Sequence, residues 1–355
     1  MRTKGIPRNV VKEQRLSPER AVVLFREAGL LELAAAADTV RRDKHPGEIA
    51  TFLIDRNINY TNICRNQCSF CAFYRPQGHP EAYVLSQDEI EKKIAETIEL
   101  GGTQIMLQGG INPELTLNFY KNMLSEIKRK FRIRIHSLSP PEVMHIAESE
   151  GMSVADVLTE LTRAGLDSLP GGGAEILVDS VRQRISPRKI SSAQWLGVME
   201  EAHRQGITTT ATMMFGTGET IEDRISHLAK IRDLQDKTRG FISFIPWTFQ
   251  PKNTSLGGRV VSSIEYLRML SISRLFLDNV PNVQGSWVTQ GRDIGQICLS
   301  FGANDLGSIM IEENVVKAAG ISHRITVEEM VDLIRKAGKI PAQRDTEFNI
   351  VEIYA

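Results

Sequence analysis

The chain has 355 residues, 41% of them hydrophobic and 24% charged, a composition that can bury a large core and does not fit a disordered segment. Its 43 basic and 43 acidic residues cancel, so the overall field of a nucleic-acid binder is missing, although a local basic patch is left open. No apolar run approaches the roughly 18 to 20 residues that span a bilayer, and Met1 to Arg15 lacks the apolar stretch of a secretion signal, which predicts a cytoplasmic protein.

Residues 17–42 read as an amphipathic helical region, opened by Ser17 as a cap with Pro18 at the first helical position. Thr51 to Tyr60 is extended in character and leads into a loop with cysteines at 64, 68 and 71. Ser86-Gln87-Asp88-Glu89 is a capping box that starts a helix to Leu100, followed by the apolar strand Thr103 to Leu107. Helix 114–130 leads to the strand Arg132 to His136. Helices near 141–149 and 153–164 lead to Gly165 to Leu169, and helix 192–204 leads to Gly206 to Met214. Helix 219–236 then precedes Gly240 to Pro246, and helix 262–277 precedes a short strand near Asn282 to Gln284. A helix over 290–296 and a strand Ile297 to Phe301 close the series.

Eight strands alternating with helices predict parallel βαβ units and a (β/α)8 barrel of TIM type, with an open doubly wound sheet as the alternative. The expected organisation is an N-terminal helical extension over 1–50, the barrel over 51–311, and a C-terminal extension over 312–355. The last of these holds one clear helix, Thr326 to Lys336. In such a barrel the loops after the strands gather at one face, where an active site is built. The polar and glycine-rich segments fall there: Cys64 to Cys71, Gln108-Gly109-Gly110, His136 to Pro141, Pro170 to Glu175, Phe215 to Glu219, Trp247 to Pro251, Gly285 to Trp287 and Gly302 to Gly307.

Cys64, Cys68 and Cys71 form a C-x3-C-x2-C run, and Cys298 is the only other cysteine. Three thiolates leave one coordination position open. A structural zinc site wants a closed set of four, which would need a distant His79 or Cys298, and a disulfide framework fits a reducing compartment poorly. An iron–sulfur cluster held by three cysteines is the better account, its fourth iron free for a small chelating ligand. Cys298 reads more simply as a small core residue.

The cysteine run, with Phe70 before its third member, its place after the first strand, and the Gly109-Gly110 pair after the second, resembles the signature of the radical S-adenosylmethionine (SAM) superfamily. The resemblance implies a [4Fe-4S] cluster on Cys64, Cys68 and Cys71, with SAM chelating the fourth iron. It places Gln108, Gly109 and Gly110 at the methionine ammonium, Phe70 and Tyr74 near adenine, Glu175 at the ribose or methionine end, and Ser139 beside it. The segment Phe215 to Glu219 matches the strand-five stretch near adenine, although Glu219 reads more simply as a first-turn carboxylate. The strings Asp55 to Asn62, Cys71 to Arg75, Leu107 to Pro113 and Leu169 to Glu175 are similar to the futalosine-pathway and deazaflavin-precursor branch. Ile245 to Pro251 and Gly285 to Gly291 are most similar to the cyclase of menaquinone biosynthesis within it.

That likeness implies a C–C bond-forming oxidoreductase. A reduced cluster cleaves SAM, and the 5′-deoxyadenosyl radical takes a ribose hydrogen from dehypoxanthine futalosine. The resulting radical then adds to the substrate's aromatic ring. A reducing donor such as flavodoxin or ferredoxin is implied as a partner, with no nucleic acid and no membrane. Aminofutalosine synthase and the deazaflavin-precursor synthase subunit are the related alternatives, and a non-enzymatic iron–sulfur or zinc protein is the alternative of another class. For the substrate, Arg75 or Arg292 is the candidate carboxylate anchor, since guanidinium binds carboxylate bidentately. Asn304, Asp305 and Gln250 are candidates for ribose, Trp247 and Trp287 for the aromatic ring, and His136, His79 and Glu175 for the final proton acceptor.

Overall fold

The computed structural model describes residues 15–321 and 323–354, so the charged start up to Gln14 lies outside the described residues. Ser17 caps the helix Pro18–Glu27 by accepting from the Arg20 N–H, and a second helix, Leu30–Lys44, follows directly. The chain then enters β1 (Ile49–Leu53) and β2 (Asp55–Ile58). The segment read as a single strand, Thr51 to Tyr60, is therefore two, and they serve different sheets. The remaining strands are β3 (Gln104–Leu107), β4 (Arg134–Ser137), β5 (Ser168–Leu169), β6 (Thr208–Phe215), β7 (Phe241–Thr248), β8 (Asn282–Val283), β9 (Asp305–Ser308), β10 (Ile340–Arg344) and β11 (Ile350–Ile353).

Strands β2 to β8 form a seven-stranded sheet in chain order, with every pairing parallel. Helices cover its outer face. The Ser86 box starts one of them, Gln87–Glu99, with Ser86 and Glu89 satisfying each other's backbone N–H groups. Side chains alternate across the sheet: Asp55 and Asn57 face inward, while Arg56 between them turns out to Glu96 at 2.7 Å. Several inward-facing positions are polar. Register places Asn57, Met106, His136 and Ser168 on neighbouring strands at one level.

The eighth position is filled differently from the expectation. Ile297 to Phe301 is not a strand: Arg292–Cys298 is a helix, and the chain turns at Leu299 to Gly302 before β9. The apolar pair Cys298 and Leu299 is buried as one face of that helix and its exit, a pattern that a short apolar run shares with a strand. Strand β9 closes the ring, taking a bridge from Gln284 on one side and pairing in parallel with β1 on the other.

Strand β1 also pairs with β10, and β10 with β11, in a second sheet ordered β11-β10-β1-β9. This sheet lies at the amino ends of the barrel strands. Arg344 of β10 reaches in to make a two-pronged bond with the buried carboxylate of Asp305, at 2.6 and 3.0 Å, and packs its guanidinium on the Phe348 ring. The chain's last segment is thus the floor of the barrel. Among the described residues no helix is long and apolar enough to cross a membrane.

Candidate active site

A cavity of about 280 Å³ runs down the barrel axis from the cysteine face to this floor. Its upper wall carries Gln108, Gly172, Gly173 and Glu175, its middle His136 and Thr212, and its base Arg344 and Thr346. Trp247 and Trp287 form one side. Trp287 is fixed by its indole N–H, which donates to the Ser308 carbonyl at 3.0 Å. A mostly apolar-walled space with a few convergent polar groups is the expected form of a small-molecule site.

The cysteine loop sits over the mouth. Cys68 is buried, Cys64 and Cys71 are half-buried, and all three are free thiols. Burial pushes the Cys68 thiol up to about 12, with Lys189 pulling the other way. Burial also raises Cys71, opposed by hydrogen bonds from the backbone N–H groups of Tyr74 and Phe73. Those donors and the nearby ammonium favour thiolate once a cation binds and deprotonates the ligands. Among the described residues no three Cys, His, Asp or Glu side chains are gathered as a ready mononuclear site. A cluster that spreads its irons over three separated thiolates fits this donor set.

The loop is locked by contacts no side chain could share. A Cβ on Gly109 would stand 2.5 Å from the Tyr60 ring, and one on Gly110 would stand 2.2 Å from the Ile63 carbonyl and 2.8 Å from the Cys64 Cβ. Both glycines are therefore demanded by close approach of the second loop to the first. Four of the non-glycine residues at positive φ, Gln67, Leu138, Glu175 and Met310, lie in loops following barrel strands. Strain of this kind concentrates at sites held in one geometry.

Two buried carboxylates organise the mouth. Glu175 accepts from Lys189 at 2.8 Å and lies 3.8 Å from Arg182, while its second oxygen is buried with no hydrogen-bond partner. Burial opposes the charge on Lys189, but Glu175 and Cys68 overcome it and hold the ammonium above its usual range. Lys189 also stands 5.2 Å over the Phe70 ring, so one cation links the cysteine loop to Glu175.

Glu142, which the sequence reading does not single out, binds Ser139 Oγ, Tyr60 Oη and the Gly109 N–H. Burial drives it up from 4.5 to about 7. A carboxyl raised on folding favours the native state less as pH climbs from the unfolded to the folded value. His136 and His227, both pushed by burial to about 3, contribute with the opposite sign over part of the same range. Thermal melts of the cofactor-free protein should isolate the carboxyl: relative to wild type, Glu142→Gln is expected to gain up to about 3 kcal/mol between pH 5 and 8. A pH-independent difference would mean that Glu142 is already ionised.

The structure separates the other predicted residues. Gln108 lines the cavity and its carbonyl accepts from Asn59 at 3.1 Å; Tyr74 is half-buried beside Cys71. Phe215 is buried and stacked on Tyr266, and Glu219 pairs with Arg224 while accepting from the Gly216 and Thr217 N–H groups. Arg75 does not face the cavity: it binds Glu81 and the carbonyls of Ala72, Phe73 and Tyr74, bracing the end of the cysteine loop. Arg292 is turned to Glu329 and the Arg324 carbonyl on the surface, away from the mouth. Asn304 and Asp305 belong to the start of β9 at the floor, bound by Arg274 and Arg344, because the eighth strand lies later in the chain than predicted. Gln250 bends back onto Thr248, and His79 accepts from the Glu81 N–H in the loop beyond the cysteines, outside the cavity. Cys298 is buried in its helix, 4.0 Å from Tyr266 Oη.

A parallel barrel carrying a three-cysteine loop at its carboxyl mouth, with a glycine pair packed on that loop, defines the radical SAM class of protein. Comparison with known proteins agrees: a profile of the radical SAM superfamily matches residues 58–231, and one of the CofH/MqnC C-terminal region matches 238–355. The chain belongs to the radical SAM superfamily, in the branch that carries this C-terminal region, and it is an enzyme. It is 50% identical to cyclic dehypoxanthine futalosine synthase of Halalkalibacterium halodurans, over 99% of this chain and 95% of that one. It is 49% identical to the Streptomyces coelicolor protein of the same name, over 96% and 86%. A 5-amino-6-(D-ribitylamino)uracil–L-tyrosine 4-hydroxyphenyl transferase of Archaeoglobus fulgidus is 43% identical, over 89% and 92%. In fold, methylornithine synthase superposes with a TM-score of 0.74 at 21% identity, over 94% of this chain and 96% of that one. Family membership implies a [4Fe-4S] cluster and SAM.

Proposed function

We propose that this chain is a cyclic dehypoxanthine futalosine synthase, working in the cytoplasm with an external one-electron donor. The observation that carries the reading is the identity of 50% over nearly the full length of both chains, above the 43% shared with the transferase. When bound, the cluster and SAM supply a hydrogen-abstracting carbon radical. Cys64, Cys68 and Cys71 hold the cluster, and Phe70, Tyr74, Gln108 to Gly110, Ser139 and Glu175 receive SAM. The unpartnered oxygen of Glu175 is available to a hydroxyl or ammonium group. Trp247 and Trp287 wall the aromatic end of the substrate, and the barrel walls separate the reacting atoms from the rest of the protein. Of the three candidate proton acceptors, only Glu175 and His136 line the cavity.

Anaerobically reconstituted protein, given reductant, SAM and dehypoxanthine futalosine, is expected to release 5′-deoxyadenosine together with a cyclised product lacking the abstracted hydrogen and the lost proton. Mass spectrometry reads both. Turnover instead of tyrosine with 5-amino-6-ribitylaminouracil would transfer the assignment to the deazaflavin-precursor reaction.

A further inference from the structure

Although the chain is neutral overall, its charge is not evenly cancelled. Arg65, Arg184 and Arg188 are exposed, and none is in an ion pair among the described residues. Arg65 lies within the cysteine loop and Arg188 against it, while Arg184 reaches toward the Thr217 carbonyl at 3.5 Å in the loop after β6. The Ile185 carbonyl accepts from both the N–H and the hydroxyl of Ser69, which fixes the Arg184 to Arg188 segment beside Cys68. Arg188 donates to the carbonyl of Arg65 at 3.3 Å, and Arg65 directly follows Cys64. A third segment joins them: the Leu256 N–H and the Ser255 hydroxyl both donate to the Ser69 carbonyl, and the same loop carries Arg259, also exposed and without an ion pair among the described residues. Below Arg65 and Arg188 opens a cleft of about 190 Å³ that reaches Lys189 and His145, and Glu148 is its one acidic lining residue. The His145 Nε2 in its wall is buried and unpartnered.

The geometry points to this face as the docking surface for an acidic one-electron carrier protein. The inference rests on the proposed function, in which one electron from outside primes the centre, and the electron shed with the proton on rearomatisation returns to that centre or to the carrier. The carrier is oxidised by one electron and the centre held by the three cysteines is reduced by one, with no proton or bond exchanged at the interface. Positive charge over the shortest protein path to the cysteines steers an acidic partner there and holds its redox group close. Because the whole chain sums to zero, the rest of it carries the compensating negative charge, which disfavours an acidic partner elsewhere. Carboxylates on the partner would replace the ion pairs these arginines lack, and one of them can enter the cleft.

The probe is an acidic flavodoxin. Its oxidised form, titrated calorimetrically into the reconstituted enzyme, should bind with an affinity that falls as added salt shrinks the Debye length below about 10 Å. Arg184→Glu/Arg188→Glu should weaken binding about tenfold or more and flatten that salt dependence. The same variant should form 5′-deoxyadenosine normally with dithionite and about tenfold more slowly with reduced flavodoxin at limiting concentration. Arg184→Lys/Arg188→Lys keeps the charge and should behave as wild type; if the reversed pair fails to fold, Arg184→Gln/Arg188→Gln decides. Unchanged affinity and salt response in the reversed or neutral pair would overturn the docking surface. Failure of wild type to cleave SAM with dithionite would instead overturn the proposed function and leave the binding result to stand separately.

Discussion

Replacing Cys68 with alanine is expected to leave the protein folded, to reduce its iron content close to zero after reconstitution, and to lower 5′-deoxyadenosine formation to background. The chain offers no substitute ligand. Cys298, the one remaining thiol, is buried in the helix Arg292–Cys298 against Tyr266, and its own thiol is pushed up to about 12 by burial. Cys298→Ser should accordingly retain iron and activity. Removing a small, largely buried side chain from a loop braced by Arg75 and by the glycine pair costs fold stability modestly, so the loss would be one of cofactor. Iron analysis and visible absorbance measure it. Retention of stoichiometric iron by Cys68→Ala would show that the triplet does not ligate as a unit.

The second large effect belongs to a residue that carries no motif. Lys189→Met should destabilise the protein by about 3 kcal/mol, because it strands the buried Glu175 carboxylate with only the more distant Arg182 for company. Removing both partners is the milder change: Glu175→Gln/Lys189→Met should recover most of that stability, since no uncompensated charge is left behind. Denaturant melts read the first effect and the double-variant cycle the second. If the two substitutions simply add, the pair is not coupled and the mouth is held by other contacts. SAM affinity is expected to fall in both variants, because Lys189 also holds Phe70 in place.

Much of this was visible in one dimension. Repeating helix and strand periods predict the parallel barrel, and the capping residues Ser17, Ser86 and Glu89 act as their spacing implies. Cys64, Cys68, Cys71, Gly109, Gly110 and Glu175 come together at the mouth because strand order alone brings their loops to one end. What failed was local ambiguity and distant pairing. Ile297 to Phe301 has the length and apolarity of a strand but lies in a helix and its exit, and that single slip carried Asn304 and Asp305 from the floor to the mouth. Lys189 and Arg344 have no motif, since their partners Glu175 and Asp305 lie 14 and 39 residues away; Glu142 has a local signal in its S-x-x-E spacing from Ser139, but its contacts with Tyr60 and Gly109 are set by the fold. Lys189 does lie one residue after exposed Arg188 in a segment without motif, and only its contact with Glu175 distinguishes it.

The floor of the barrel has a consequence for how the molecule comes into being. Strand β1 is made long before its neighbour β10; the Lys339–Glu48 pair that flanks their junction joins positions 291 apart. Contacts of such long range form slowly, since the entropy of loop closure must be met before they are rewarded. Until the segment carrying β10 has been made, a growing chain therefore lacks the floor of the barrel, and Asp305 lacks Arg344. Closure of the barrel's base is tied in this way to the arrival of β10.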